Sequence, residues 1–297
     1  MRKKLVLYLL SAFATNTAFC QDIHFSQYFV APQIINPAGF GVLNSFEAGL
    51  QYKGQWNSFT SGYTSVAAFA NKSFKKQKDV NSSKAYASVG LNVIYDKAGS
   101  SPLTHFKAEL PVNVTKQLST TGFLTAGVYL GYGQIAVKND NFTWGNQFDG
   151  YQYNSSFGSN EATGGQTKSY LDCGAGLSHV VLKRGVEVTS PLNVIGFSVS
   201  HLNKPDYSLS GTSGQKLDMR INFYESYHFY FKNTPISVVP SVLFQYQASA
   251  YEVVLGASVK KAFKDNADTK KSKYASLGLY YRLQDMCALN CILELNN

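Results

Sequence analysis

The stretch "FEAGLQYKGQW", Phe46–Trp56, decides the fold. Phe46, Ala48, Leu50, Tyr52, Gly54 and Trp56 fall on one side of an extended chain, and Glu47, Gly49, Gln51, Lys53 and Gln55 on the other. Successive side chains of a strand point to opposite faces, so this is a strand with one continuous apolar face. A membrane-crossing strand needs about ten residues of such alternation. The opposite face carries Gly, Gln and charge. A packed water-soluble core is not built from those residues, whereas the interior of a barrel is. Tyr52 and Trp56 suit the aromatic girdle at a membrane interface.

The pattern recurs down the chain. Ala85, Ala87, Val89, Leu91, Val93 and Tyr95 share a face. Phe106, Ala108, Leu110, Val112 and Val114 stand opposite His105, Lys107, Glu109 and Asn113. Leu124, Ala126, Val128, Leu130 and Tyr132 form a third set, and Ala275, Leu277, Leu279, Tyr281 and Leu283 a fourth. The pattern predicts about twelve strands, beginning near Phe46, Tyr63, Ala85, His105, Gly122, Tyr170, Asn193, Met219, Ile236, Tyr251, Lys273 and Ala288. Pro111 and Pro240 lie inside strand-like runs, where a missing N–H interrupts a ladder. By the same alternation Tyr86, Tyr129, Tyr274 and Tyr280 point inward. The expected fold is all-β: an antiparallel transmembrane β-barrel of the bacterial outer membrane. The competing fold is a soluble double-sheet sandwich.

Composition agrees. Charged residues make up 15% of the chain, below the usual quarter, while aromatics reach 14% with 20 Tyr, 20 Phe and 24 Gly. Residues 1–20 read as a signal peptide: Arg2, Lys3 and Lys4 precede the short apolar run Leu5–Leu10, and small residues lead to a boundary at Cys20. Cleavage there leaves Gln21 first. The alternative is lipidation of Cys20, although Phe19 stands where a small residue is wanted. No later apolar run is long enough for a transmembrane helix.

Candidate chemistry is sparse. Beyond Cys20 only Cys173, Cys287 and Cys291 remain, and three cysteines cannot all pair. Cys287 and Cys291 are close, but no His or Cys nearby in sequence completes a zinc site. His24, His105, His179, His201 and His228 are scattered, without a Gly-x-Ser-x-Gly elbow or a His-Glu-x-x-His pair. Ser178 and His179 adjoin, yet adjacent strand residues face opposite sides. The expectation is no catalytic residues, no metal, no cofactor and no enzymatic activity. The isoelectric point near 9.2 suits nucleic acid, but export argues against such a partner.

If the N-terminus is periplasmic, the first strand runs outward. The long connection after Val137 and the stretch "LNKPDYSLSGTSGQKL" then fall outside, where long loops belong. The two densest basic runs, "KSFKKQK" and "KKAFKDNADTKKSK", fall together on the periplasmic side. They read either as solvated turns near lipid head groups or as a collar for an acidic partner, with Lys75, Lys76, Lys270 and Lys271 as its contacts. The stretch "HLNKPDYSL", His201–Leu209, reads as a turn at the barrel rim or a recognition element.

Several motifs carry a family resemblance: "FSQY" at Phe25–Tyr28, Pro32, "NPAGFG" at Asn36–Gly41, "YKGQW" at Tyr52–Trp56, "TWGNQFDG" at Thr143–Gly150, "HLNKPDYS" at His201–Ser208 and "LGLYYRLQD" at Leu277–Asp285. Together they resemble the PorP/SprF family of outer-membrane β-barrels. The resemblance spans everything after the leader. It implies association with the type IX secretion system and gliding motility, through export or retention of large surface adhesins. The implied partners are other secretion components, an adhesin and outer-membrane lipid. The alternative function is a passive pore or transporter for small solutes. Family chains run past the last segment here, so the resemblance implies about two further strands, fourteen in the complete fold, with residues 46–297 a barrel lacking its last strands.

Residues 21–45 precede the first strand and form a periplasmic or lumenal segment. Pro32 and Pro37 keep it out of the sheet. Phe25, Tyr28 and Phe29 are too apolar to stand in water. Phe25 and Tyr28 pack either on the barrel's inner wall or on a periplasmic partner.

Overall fold

The computed structural model describes residues 25, 27–55, 62–75, 85–99, 103–137, 144–158, 166–183, 191–209, 215–232, 234–264 and 272–295. The leader therefore lies outside the described residues, as do Lys76, Lys270 and Lys271.

Among the described residues thirteen strands form one antiparallel sheet. They are β1 (Phe46–Gln55), β2 (Tyr63–Ser73), β3 (Tyr86–Ala98), β4 (Leu103–Gln117), β5 (Gly122–Val137), β6 (Gln166–Leu182), β7 (Pro191–Ser200), β8 (Arg220–Tyr227), β9 (Phe229–Tyr230), β10 (Ile236–Gln247), β11 (Ala250–Lys264), β12 (Ser272–Arg282) and β13 (Met286–Leu295). All but β9 follow one another in a single up-and-down path, and β9 is a two-residue piece paired to β10. The strand starts read from alternation agree closely. The clearest shift is β6, which begins at Gln166 rather than near Tyr170.

Both prolines stay inside strands because their neighbours give way. The β3–β4 ladder lapses at Gly90 and Leu91, opposite Leu110 and Pro111. Pro240 stands where the partner of β10 changes from β9 to β8, so its missing N–H interrupts nothing on that side.

Burial alternates along most strands. On the outer face Leu50, Leu130, Leu171 and Leu289 are each more than 70% exposed. Such a surface suits hydrocarbon, not water. Tyr52, Tyr95, Tyr246, Tyr251 and Tyr281 stand exposed near the end that carries the connections 138–165 and 201–219. Phe46, Phe74, Phe229, Phe231 and Phe263 stand exposed near the opposite end. These two belts bracket the apolar band as interfacial girdles do. No helix among the described residues is long and apolar enough to cross a membrane.

The inner face has its own rule. Phe69, Tyr129, Tyr170, Tyr224 and Tyr280 each lie across the glycine directly opposite on the next strand: Gly49, Gly174, Gly133, Gly196 and Gly256. A Cβ on any of these glycines would stand 2.0–2.5 Å from the ring. The aromatic supplies packing that glycine lacks, and the glycine supplies the space the ring occupies.

β1 and β13 are the two edges of the sheet, and they are not paired to each other among the described residues. Gln27 nevertheless touches both. Its backbone carbonyl accepts from Gln51 Nε2 on β1 at 3.3 Å, and its own Nε2 donates to Asn290 Oδ1 on β13 at 3.0 Å. The sheet thus curls until its edges meet one residue.

Candidate functional site

What the sheet curls around is the chain's own N-terminal segment. A 3-10 turn, Tyr28–Val30, is followed by a one-turn helix α1 (Pro32–Ile35), with Pro32 at the position where a missing N–H costs nothing. Tyr28 is 6% exposed and packs with Tyr224, Leu243, Val254 and Tyr280. Phe29 stacks on Tyr280 at 5.1 Å. Phe25 is half-buried. Further along, Val42 packs with Phe123 and Val180.

Asparagines of the inner wall clamp the segment's backbone, which would otherwise bury unsatisfied carbonyls. Asn92 Nδ2 donates to Gln33 O at 3.3 Å. Asn113 Nδ2 donates to Pro37 O at 3.1 Å and Phe40 O at 3.3 Å. Asn222 Nδ2 and Ser198 Oγ both donate to Ile35 O. In return Asn36, itself fully buried, donates from Nδ2 to Leu177 O at 3.0 Å and accepts from Ala38 N at 2.8 Å. Two wall glycines leave room for it. A Cβ at Gly127 would stand 2.7 Å from Pro37 O, and one at Gly176 would stand 2.1 Å from Asn36 Oδ1.

Of the proposed collar contacts, Lys75 is described. Its Nζ donates to Val42 O at 3.0 Å and Leu43 O at 3.2 Å, fastening the segment where it leaves the interior. Burial holds its pKa below the ordinary lysine value.

A charged cluster lines the interior toward the long connections. Lys107 Nζ lies 2.8 Å from Glu109 Oε1 and 3.3 Å from Asp172 Oδ2. His201 Nδ1 lies 2.9 Å from the same Asp172 oxygen, which also accepts from the Tyr129 hydroxyl at 3.0 Å. Glu109 accepts from Asn92 Nδ2 at 3.2 Å. Glu109 and Asp172 sit on β4 and β6 with Gly131 of β5 between them in register, and that glycine opens the space in which they approach. His201, fully buried with φ 59°, directly follows β7 and roots the connection. That connection folds back on β6: Leu202 N donates to Cys173 O, and Asn203 Nδ2 donates to Leu171 O. Asp206 pairs with Lys168 at 3.4 Å, and the Ser208 amide beside it holds its carboxyl below the ordinary range. The cluster holds acid, base and imidazole, but its geometry is that of paired charges anchoring a loop.

The sequence pointed to Phe25, Tyr28 and the lysines. It did not single out this cluster or the asparagine clamp. Alternation turns Lys107 and Glu109 inward, but their meeting with Asp172 and His201 needs the register across the four strands β4–β7.

At the same end, residues 144–157 wrap around Gln147. Its side chain accepts from Trp144 N at 3.0 Å and donates to Phe157 O at 3.2 Å. The wrap leaves Phe148, Tyr151 and Tyr153 exposed.

A family model described as type IX secretion system membrane protein PorP/SprF matches residues 17–297. No curated protein matches the chain. Among solved structures it is similar to the crystal structure of the β domain of the Bordetella autotransporter BrkA, at 10% identity, 84% of this chain, 95% of that chain and a TM-score of 0.39.

Proposed function

The chain belongs to the PorP/SprF family, and from that membership we propose that it is a non-enzymatic outer-membrane barrel whose own N-terminal segment fills its interior. It supports type IX secretion and holds a large adhesin at the cell surface, where gliding machinery uses it. The observation that carries this reading is the asparagine clamp on residues 33–40. A solute pore needs an open lumen, whereas an anchor needs a rigid body and two working ends.

In this reading the adhesin meets the end that carries Phe148, Tyr151 and Tyr153, and periplasmic secretion components meet the opposite end. There the basic collar, with Lys76, Lys270 and Lys271, provides long-range attraction for an acidic partner. Lys75 acts through the segment it fastens, and Phe25 and Tyr28 pack on the inner wall.

The test compares wild-type and deletion cells for surface adhesin, read by protease accessibility, alongside pull-down of secretion components from outer membranes. Loss of the adhesin and co-purification of the components are expected. Solute efflux from liposomes carrying the folded barrel, with unchanged surface adhesin on deletion, would instead favour the passive pore.

A further inference from the structure

The outer face carries an apolar groove that the secretion role does not use. It opens across β4, β5, β6 and β7. Two register rows explain it. In one, Val114, Ala126, Leu177 and Phe197 stand side by side; in the next, Val112, Val128, Ala175 and Val199 do. Ala126 and Ala175 are the small members of rows of larger side chains, so each leaves a depression, and together they floor the groove.

Toward the end with the short turn between β4 and β5, the next outward row reads Lys116, Leu124, His179 and Ile195. Lys116 is exposed and lies just before that turn, at the depth of lipid head groups. His179 leans the same way: a Cβ at Gly122 would stand 3.5 Å from its Nε2, so its ring reaches over the space that glycine leaves. The two basic side chains stand two strands apart, about 10 Å. The row's acid, Glu225 on β8, lies two strands beyond His179 and accepts from Asn193 Nδ2 at 3.2 Å.

We infer that this is a phospholipid site, with one acyl chain in the groove over Ala126 and Ala175 and the phosphate on Lys116 and His179. Either half alone has little selectivity. Apolar surface in hydrocarbon gains nothing over other lipid, and an isolated interfacial lysine is an ordinary snorkelling residue. Their juxtaposition distinguishes this lipid from bulk: a depression that fits a chain opens directly below two groups that attract a phosphate. The site is independent of the secretion reading.

The test is native mass spectrometry of the full chain, purified in detergent and exposed to palmitoyl-oleoyl phosphatidylglycerol. Wild type is expected to retain one lipid through detergent stripping. Ala126→Leu with Ala175→Leu fills the groove and should cut retention at least tenfold. Lys116→Gln with His179→Gln should cut it several-fold. Ala48→Leu, the same change elsewhere on the outer face, should leave it intact. Heat-modifiable migration confirms that each variant is folded. Equal retention by the groove-filled variant overturns the site. Equal retention of the uncharged diacylglycerol overturns its phosphate half, and a co-purifying membrane protein on the groove in place of lipid overturns the occupant.

Discussion

The carboxamide oxygen of Asn36 occupies the space that a side chain at Gly176 would need: a Cβ there would stand 2.1 Å away. The contact joins a residue before the first strand to the middle of β6. Gly176→Ala should therefore act mainly on the seating of the N-terminal segment, with a smaller conflict at Phe197 O on β7, 3.1 Å from the same Cβ. Overpacking of this kind costs about 2 kcal/mol. Asn36→Ala loses the hydrogen bonds to Leu177 O and Ala38 N but clears the space. The double variant should be more stable than the sum of the single losses implies. Urea unfolding followed by heat-modifiable migration measures all three, and strict additivity would show that the two residues do not compete.

Tyr28 carries the next prediction. It is buried among Tyr224, Leu243, Val254 and Tyr280. Tyr28→Ala should destabilise the barrel by about 3 kcal/mol through the cavity it leaves, and Phe25→Ala, at a half-buried position, by less. A barrel of unchanged stability that no longer co-purifies with secretion components would assign Tyr28 to a partner instead.

Asp172 is the hub of the interior charges, with Lys107 and His201 on one oxygen. Asp172→Asn weakens the bonds to Lys107, His201 and Tyr129 while Glu109 still pairs with Lys107 at 2.8 Å, so the loss should be that of weakened buried hydrogen bonds, about 1–3 kcal/mol. Because His201 roots the connection 201–219, that loop should also become more open to protease, at a rate measurable on intact cells. If Asp172→Asn unfolds at the wild-type urea concentration, the cluster does not hold the loop.

Much of this was legible in the sequence, for a specific reason. A two-residue period needs no knowledge of the partner strand, so Phe46, Leu50 and Leu130 declared the outer face directly. The short β9 was missed because two residues show no period. The inner face was legible only as a composition of Gly, Ser and Gln. That Tyr129 covers Gly174, or that Gly131 parts Glu109 and Asp172, depends on register, which alternation leaves free by any even shift. The opening segment showed that it must be packed somewhere. The asparagines that receive it, Asn92, Asn113 and Asn222, looked like any polar inward residues until the segment was placed among them.

Lys75, just past the end of β2, carries the last prediction. Its Nζ donates to Val42 O at 3.0 Å and Leu43 O at 3.2 Å. Lys75→Met keeps much of the stem but removes both donors at the point where the N-terminal segment leaves the interior. A hydrogen bond from a charged group contributes about 1.5–3 kcal/mol when buried and less at a half-exposed site, so the variant should lose about 1–2 kcal/mol in urea unfolding. Lys72→Met, on the same strand end but without these bonds, should lose less. Equal unfolding of Lys75→Met and wild type would mean that the segment is held without this fastening.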